Sequence, residues 1–292
     1  TIYLDAGDYY FANAKYAYAR KWYQNVLINQ VPAAKKEQFY FNYGYVNYAT
    51  KNFKRAKENF SKVEFSKIYG AQAKYYIGFM AYECDDYDEA TKYLNQISDQ
   101  ERYKNELNYF QADLNFKLGA FQKAIDVANK ALEKANKNES SELSKIIGES
   151  YFNLKKYNEA IPYLKAYKGQ KGKWTNVDFY QIGYAYYKQN DFEKAIGEFN
   201  KIINGNNVIA QNAYYHLGES YINLDKKQEA LNAFRRASEM DFDTKIKEDA
   251  WLNYAKLSYD IGNPYLSTPQ VLSNFLERYP KSPFRESIEL LW

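Results

Sequence analysis

His216 is the only histidine in this 292-residue chain and Cys84 the only cysteine. A hydroxyl–imidazole–carboxylate relay or a thiolate–imidazole zinc site needs several such groups converging, and one of each is scarcely enough material. The sequence has no GxxxxGK[ST] loop, no GxGxxG turn and no HExxH helix. His216 lies two residues before Gly218 in an apolar periodic stretch and is expected to pack between helices. Cys84 follows a run of apolar residues and is expected to be a small core residue. The carboxylates Asp85, Asp86, Glu139 and Glu142 fall where turns and first helical turns favour negative charge. Gly169-Gln-Lys-Gly-Lys-Trp174 reads as a flexible basic connector. No catalytic residue, metal site or cofactor is therefore expected. The abundant chemistry is that of 33 tyrosines, 18 phenylalanines and four tryptophans, which make up 19% of the chain. A phenol packs through its ring and hydrogen-bonds through its tip, which suits recognition at half-buried positions rather than bond making.

Elements must position those rings, and composition points to helices. Thirteen glycines and six prolines are few for this length, while Ala, Leu, Lys, Glu and Gln are plentiful. Forty basic and 36 acidic residues leave a formal charge of +4. The two signs are interspersed, and the densest basic runs, Lys165 to Lys173 and Lys51 to Lys57, are short. That pattern excludes the dense basic stripe that nucleic-acid binding would need, so no nucleic-acid partner is expected. No apolar run approaches the length of a membrane span, so no direct membrane insertion is expected. A single cysteine excludes an internal disulfide framework.

The chain repeats. An aromatic residue or Lys followed three residues later by Ala recurs, the alanines being Ala19, Ala56, Ala90, Ala124, Ala160, Ala195 and Ala230, spaced by 37, 34, 34, 36, 35 and 35 residues. Twelve residues before each stands a second small residue: Gly7, Gly44, Gly78, Ala112, Gly148, Gly183 and Gly218. Small residues coupled at a fixed offset mark places where two helices approach closely. Asn52, Asp86, Lys156, Asp191 and Asp225-Lys226 fall between the paired segments and should precede the second helix of each pair. An eighth unit begins with Trp251, Tyr254 and Ala255, but carries Gly262-Asn-Pro264 and Ser267-Thr-Pro269 at its turn. Ser267 or Thr268 should cap a helix running to Arg278.

This pattern resembles the tetratricopeptide repeat, with a period of about 34 residues. The fullest copies read Phe179, Ile182, Gly183, Tyr186, Ala195, Phe199 and Tyr214, Leu217, Gly218, Tyr221, Ala230, Phe234, Ala237. The resemblance implies an all-α, right-handed α-solenoid of about eight tandem helix-turn-helix repeats in a single array. The approximate repeats are 1–34, 37–70, 71–104, 105–140, 141–175, 176–210, 211–245 and 248–283, with 284–292 starting a further helix. Neither end carries a polar capping repeat, which suggests a fragment of a longer array or a chain docked at its ends.

The resemblance also implies a concave groove lined by the first helix of each pair. With the small residue as position eight, the family's groove positions are two, five, nine, twelve and thirteen. They place Phe41, Tyr45, Tyr48, Tyr75, Phe79, Tyr82, Tyr109, Phe116, Lys145, Phe152, Tyr180, Tyr184, Tyr187, Tyr215 and Tyr259 in an aromatic ligand-binding trough. Polar companions include Asp113, Asn212 and Glu219. Such a surface implies a protein or extended-peptide partner, although an aromatic stripe at helical spacing is more often core than binding surface. Members that clamp carboxylates carry Lys at position five and Asn at position nine. Here position five is mostly aromatic and no position nine is Asn, so that clamp is not expected.

The Tyr-, Asn-, Lys- and Ile-rich vocabulary and the closing Tyr-Pro-Lys-Ser-Pro of residues 279–283 resemble large repeat proteins of Bacteroidota cell envelopes. That implies a periplasmic or outer-membrane-associated setting and an outer-membrane complex, with the cytoplasm as the alternative. Two other functional readings stay open: a glycan-binding accessory that stacks rings on sugars, and a spacer or oligomerisation segment.

Overall fold

The computed structural model describes residues 1–291. They fold into helices with no strand among the described residues, an isolated bridge between Gln170 and Lys173 being the one extended pairing. The contacts divide the chain into two compact units, Thr1–Lys134 and the residues from Ala135 onward.

The first unit holds four antiparallel pairs: α1 (Ile2–Ala12) with α2 (Tyr16–Tyr23), α3 (Lys36–Ala49) with α4 (Phe53–Ser61), α5 (Gly70–Glu83) with α6 (Tyr87–Asn95), and α8 (Asn108–Lys117) with α9 (Phe121–Leu132). A short α7 (Glu101–Lys104) precedes α8. The second unit pairs α10 (Lys137–Asn153) with α11 (Tyr157–Ala166), α12 (Asn176–Lys188) with α13 (Phe192–Phe199), α14 (Val208–Asn223) with α15 (Lys227–Ser238), and α16 (Thr244–Ile261) with α17 (Thr268–Arg278). The brief α18 (Arg285–Glu289) follows. Within each unit every long helix packs on the next, and first helices of successive pairs touch, as α3 does α5 and α12 does α14.

Seven turns within pairs share one geometry. Ala14, Lys51, Asp85, Gly119, Lys155, Asn190 and Asp225 all take a positive φ. The next residue then donates its N–H to the carbonyl five positions back, for example Asn52 to Asn47 and Asp191 to Tyr186, at 2.7–3.0 Å. This is the closure that satisfies the last carbonyls of a helix, and it delivers the chain at once into the next one. Asn52, Asp86, Lys156, Asp191 and Lys226 are the N-cap residues, as their spacing suggests. Ser267 caps α17 with its side chain. The first helices α10, α14 and α16 begin three or four residues ahead of the sequence register because Asn136, Asn207 and Asp243 cap them there.

The small residues explain the pairing. A Cβ on Gly44 would lie 2.8 Å from the Phe60 ring, one on Gly183 2.9 Å from Phe199, and one on Gly218 2.7 Å from Phe234. Each ring comes from the second helix of the same pair, sixteen residues on, and is 0–1% exposed. Ala19, Ala56, Ala90, Ala124, Ala160, Ala195 and Ala230 are all fully buried. Close backbone approach at the glycine admits a large side chain from the partner helix, and that packing carries the core of each pair.

Cys84 departs from its expected core position. It is exposed, because it is the residue that ends α5 and Asp85 then swings the chain away with φ +60°.

Candidate functional site

The first helices bring their aromatic side chains together in a recurring way. In the first unit, Tyr76 of α5 reaches back to Tyr45 and Tyr48 of α3, with ring centroids 5.4 and 5.0 Å away. One repeat later Phe110 of α8 reaches back to Phe79 and Tyr82 of α5, at 4.6 and 5.5 Å. In the second unit His216 of α14 does the same to Tyr184 and Tyr187 of α12, at 5.2 and 5.0 Å. The bridging residue always stands two before the small residue. It fills the gap between two rings of the preceding helix and leaves them half-buried.

Acidic groups join the same interfaces. The Tyr82 hydroxyl donates a short hydrogen bond to Asp113 of the next first helix, and Tyr187 donates to Glu219 at 2.7 Å in the equivalent place. Tyr75 donates to Glu106 at 2.6 Å. Burial, followed by these carboxylates, pushes the Tyr82, Tyr187 and Tyr75 hydroxyls above the ordinary phenol range. They stay neutral donors. Glu219 also faces His216 Nδ1 at 3.2 Å, so one carboxylate organises both a ring and the imidazole.

In the second unit Phe152, Tyr157, Tyr180, Tyr184, Asn212 and His216 wall an open depression of about 440 Å³. Tyr180 stacks on Tyr184 with centroids 6.0 Å apart and planes 27° apart, and Phe152 leans on both Tyr157 and Tyr184. Asn212 donates its amide to the Val208 carbonyl at 2.9 Å, which turns its Oδ1 into a fixed acceptor.

Residues 81–139 and 146–168 match family models described as tetratricopeptide repeat, and residues 168–237 match one described as anaphase-promoting complex, cyclosome, subunit 3. The chain is a tetratricopeptide repeat protein. Response regulator aspartate phosphatase E of Bacillus subtilis is 27% identical over half of this chain, and the match spans 42% of that protein. A tetratricopeptide repeat-containing protein of Methanocaldococcus jannaschii is 30% identical over 53% of this chain and 27% of its own length. The chain thus spans less than half of the curated relatives it matches. Among solved structures, the C-terminal part of a tetratricopeptide repeat-containing protein from Cytophaga hutchinsonii superposes with a TM-score of 0.61 at 18% identity, covering 85% of this chain and 98% of that one. MamA of strain MSR-1 gives a TM-score of 0.51 at 20% identity, over 59% of this chain and 96% of its own. These likenesses show the fold.

The trough residues expected from the tetratricopeptide register fall into three groups. Tyr45, Tyr48, Tyr75, Phe79 and Tyr82 form one connected row, joined by Tyr76, Tyr103 and Phe110, with Tyr109 against Phe110 at its end. Phe152, Tyr180, Tyr184, Tyr187 and Tyr215 form the other, around His216. Burial raises the Tyr45 hydroxyl to about 12, and the same cause with nearby Glu219 raises Tyr215 to about 12.

The remaining four stand apart. Phe116 touches Phe121 of its own pair. Lys145 holds its ammonium 4.8 Å over the Tyr167 ring and 3.9 Å from Glu149. Tyr259 is 54% exposed and belongs to neither row. Phe41 stands apart by its burial, although its ring comes within 6.4 Å of the bridging Tyr76 ring. It is 8% exposed, stacked 5.1 Å from Tyr69 of the α4–α5 connection and packed on Phe60, so it is a core residue of its pair.

The bridging residues Tyr76, Phe110 and His216 were missing from the sequence-based trough. Their signal is present, since Tyr76 and Phe110 are aromatic at the same register. The expectation that His216 packs between helices holds: its side chain is 11% exposed. Among the described residues no group of three His, Cys, Asp or Glu side chains could hold a metal, and no helix is long and apolar enough to cross a membrane.

The 167–175 segment departs from the flexible connector expected of it. Trp174 Nε1 donates to the Tyr167 carbonyl at 2.6 Å, the Lys168 N–H donates to Ser141 Oγ at 2.9 Å, and Gln170 bridges Lys173. Gly169, with φ +86°, allows this fold-back because a Cβ there would collide with the Lys173 carbonyl.

Proposed function

We propose that this chain is a non-catalytic scaffold that binds an extended segment of a partner protein on the aromatic face of its first helices. Its principal contact would be the depression walled by Phe152, Tyr157, Tyr180, Tyr184 and Asn212. The observation that carries the reading is that these rings remain half-exposed around one concavity while their neighbours in the core are fully enclosed. Rigid rings add contact area at small entropic cost, and the fixed acceptor of Asn212 suits a peptide N–H. The tetratricopeptide fold supports an interaction role in general; the groove and its ligand are the proposal. Its proposed setting is the bacterial cell envelope, within an outer-membrane complex, on the strength of the Tyr279–Pro283 closure.

The test is selection of a displayed random-peptide library on the native chain, followed by fluorescence anisotropy of the enriched peptides. Tyr184→Ala should weaken an enriched peptide by about tenfold or more, as removal of a central aromatic contact does. Circular dichroism should confirm that the variant keeps its helices. Failure to enrich any peptide, or equal affinity for the folded variant, would overturn the reading. Membrane fractionation of the parent cells tests the setting, and recovery only in the cytosol would reject it.

A further inference from the structure

In the first unit, two of the connections that link one helix pair to the next carry apolar side chains that the core does not use. Between α2 and α3, Leu27 is 59% exposed and Ile28 37%. Between α4 and α5, Phe65 is 84% exposed and Ile68 75%. Single exposed apolar residues are ordinary on a protein surface, but four large ones on two adjacent connections are not. The following connection, ahead of α8, turns Ile97, Tyr103 and Leu107 inward and buries them. A connection in this unit can therefore hide its apolar side chains, and these two do not.

The exposure is built into the turns. Val31 and Val63 are buried and anchor the two connections. Ser66 Oγ accepts the N–H groups of Ile68 and Tyr69 at 3.2 and 3.1 Å, and Tyr69 stacks on Phe41, so the α4–α5 turn is fixed with Phe65 and Ile68 left outside. The same hydroxyl donates to Glu37 at the start of α3 at 2.8 Å, which holds the two connections side by side. Residues 24–37 and 62–69 contain four lysines, Lys35, Lys36, Lys62 and Lys67, against Glu37 and Glu64, which leaves a local charge of +2. Lys74 places its ammonium 5.5 Å from the Phe65 ring.

We propose that this edge of the first unit adsorbs reversibly on an anionic lipid surface, with Phe65 and Ile68 as the leading contacts and Leu27 and Ile28 beside them. Apolar tips that protrude from turns can enter the boundary between headgroups and acyl chains, while lysine stems lie alongside and their ammonium groups meet anionic headgroups. A fluid surface accepts protruding side chains without offering a matching cavity, and the positive charge of the edge selects a negative surface. No helix crosses the bilayer in this arrangement, and the aromatic depression takes no part in it.

Sedimentation of the whole chain with vesicles tests the proposal, comparing equimolar phosphatidylglycerol and phosphatidylcholine with phosphatidylcholine alone. The native chain should bind the anionic vesicles about tenfold more tightly or better, and added salt should weaken that binding. Phe65→Ser/Ile68→Ser should weaken it by about tenfold or more, through lost apolar burial. Lys62→Gln/Lys67→Gln should weaken binding to the anionic vesicles by about tenfold and leave binding to the neutral ones unchanged. All four substituted side chains are exposed, and circular dichroism should confirm that both variants keep their helices. Tyr184→Ala should bind vesicles as the native chain does, which separates this surface from the peptide groove. No binding to the anionic vesicles, equal binding to the two compositions, or undiminished binding by the Phe65→Ser/Ile68→Ser variant would overturn the proposal. Self-association without vesicle binding, seen by light scattering and abolished in that variant, would also overturn it and assign the edge to a second copy of the chain.

Discussion

At the scale of single residues, this molecule is organised by where a side chain is forbidden. Gly183 and Gly197 lie in the same repeat and both sit within helices, yet they have opposite surroundings. A Cβ on Gly183 would press 2.9 Å from Phe199, whereas one on Gly197 meets nothing within 4 Å. Alanine gains about 1 kcal/mol over glycine in a helix interior. Gly197→Ala should therefore raise stability by about 1 kcal/mol. Gly183→Ala gains the same propensity but must displace a fully buried ring, a cost of about 1–3 kcal/mol in well-packed cores, so it should give a net loss of up to about 2 kcal/mol. Equilibrium urea unfolding of the two variants measures the contrast. If both substitutions shift the midpoint in the same direction, the close approach of α12 and α13 is not what fixes glycine at position 183.

At the scale of elements, successive helix pairs are held together by aromatic bridges and by tyrosine–carboxylate hydrogen bonds. The two bonds of this type at equivalent registers differ in what surrounds the acid. Asp113 is 8% exposed and faces the Tyr82 hydroxyl, whereas Glu219 is more open and faces both Tyr187 and His216. Tyr82→Phe leaves a buried carboxylate without that donor and should cost about 2 kcal/mol. Tyr187→Phe leaves Glu219 with His216 and with solvent, so its cost should be about 1 kcal/mol or less. Thermal unfolding of the two variants measures the difference, and equal losses would show that burial of the acid does not set the strength of the bond. Much of this level was legible in the sequence. The small–large pairs and the capped turns follow from contacts twelve to sixteen residues apart, which a periodic sequence records directly. Side-chain direction was less legible. Phe41 occupies a groove register, but Tyr69, in a connection of no fixed register, draws its ring into the core. The 167–175 segment reads as flexible because its order comes from Ser141 and Tyr167, neither of which carries any local turn signature.

At the scale of the whole molecule, the number of tyrosines becomes a collective property. Burial raises the hydroxyls of Tyr45 and Tyr215 to about 12, and it raises those of Tyr23, Tyr75, Tyr82, Tyr180 and Tyr187 further, several with a carboxylate beside them. In the unfolded chain each would titrate near 10. The folded state therefore keeps protons that the unfolded state gives up. Stability from this source is fully present below about pH 10 and falls as pH rises from there through the folded values. Because each shifted phenol adds its own dependence, the decline should be steep and should start from both units. Helical circular dichroism and tyrosinate absorbance followed together through an alkaline titration measure this. The buried set should ionise together with unfolding. Smooth ionisation of all the tyrosines near pH 10 with the helices intact would mean that the aromatic rows are open to solvent, and the packing described for them would be wrong.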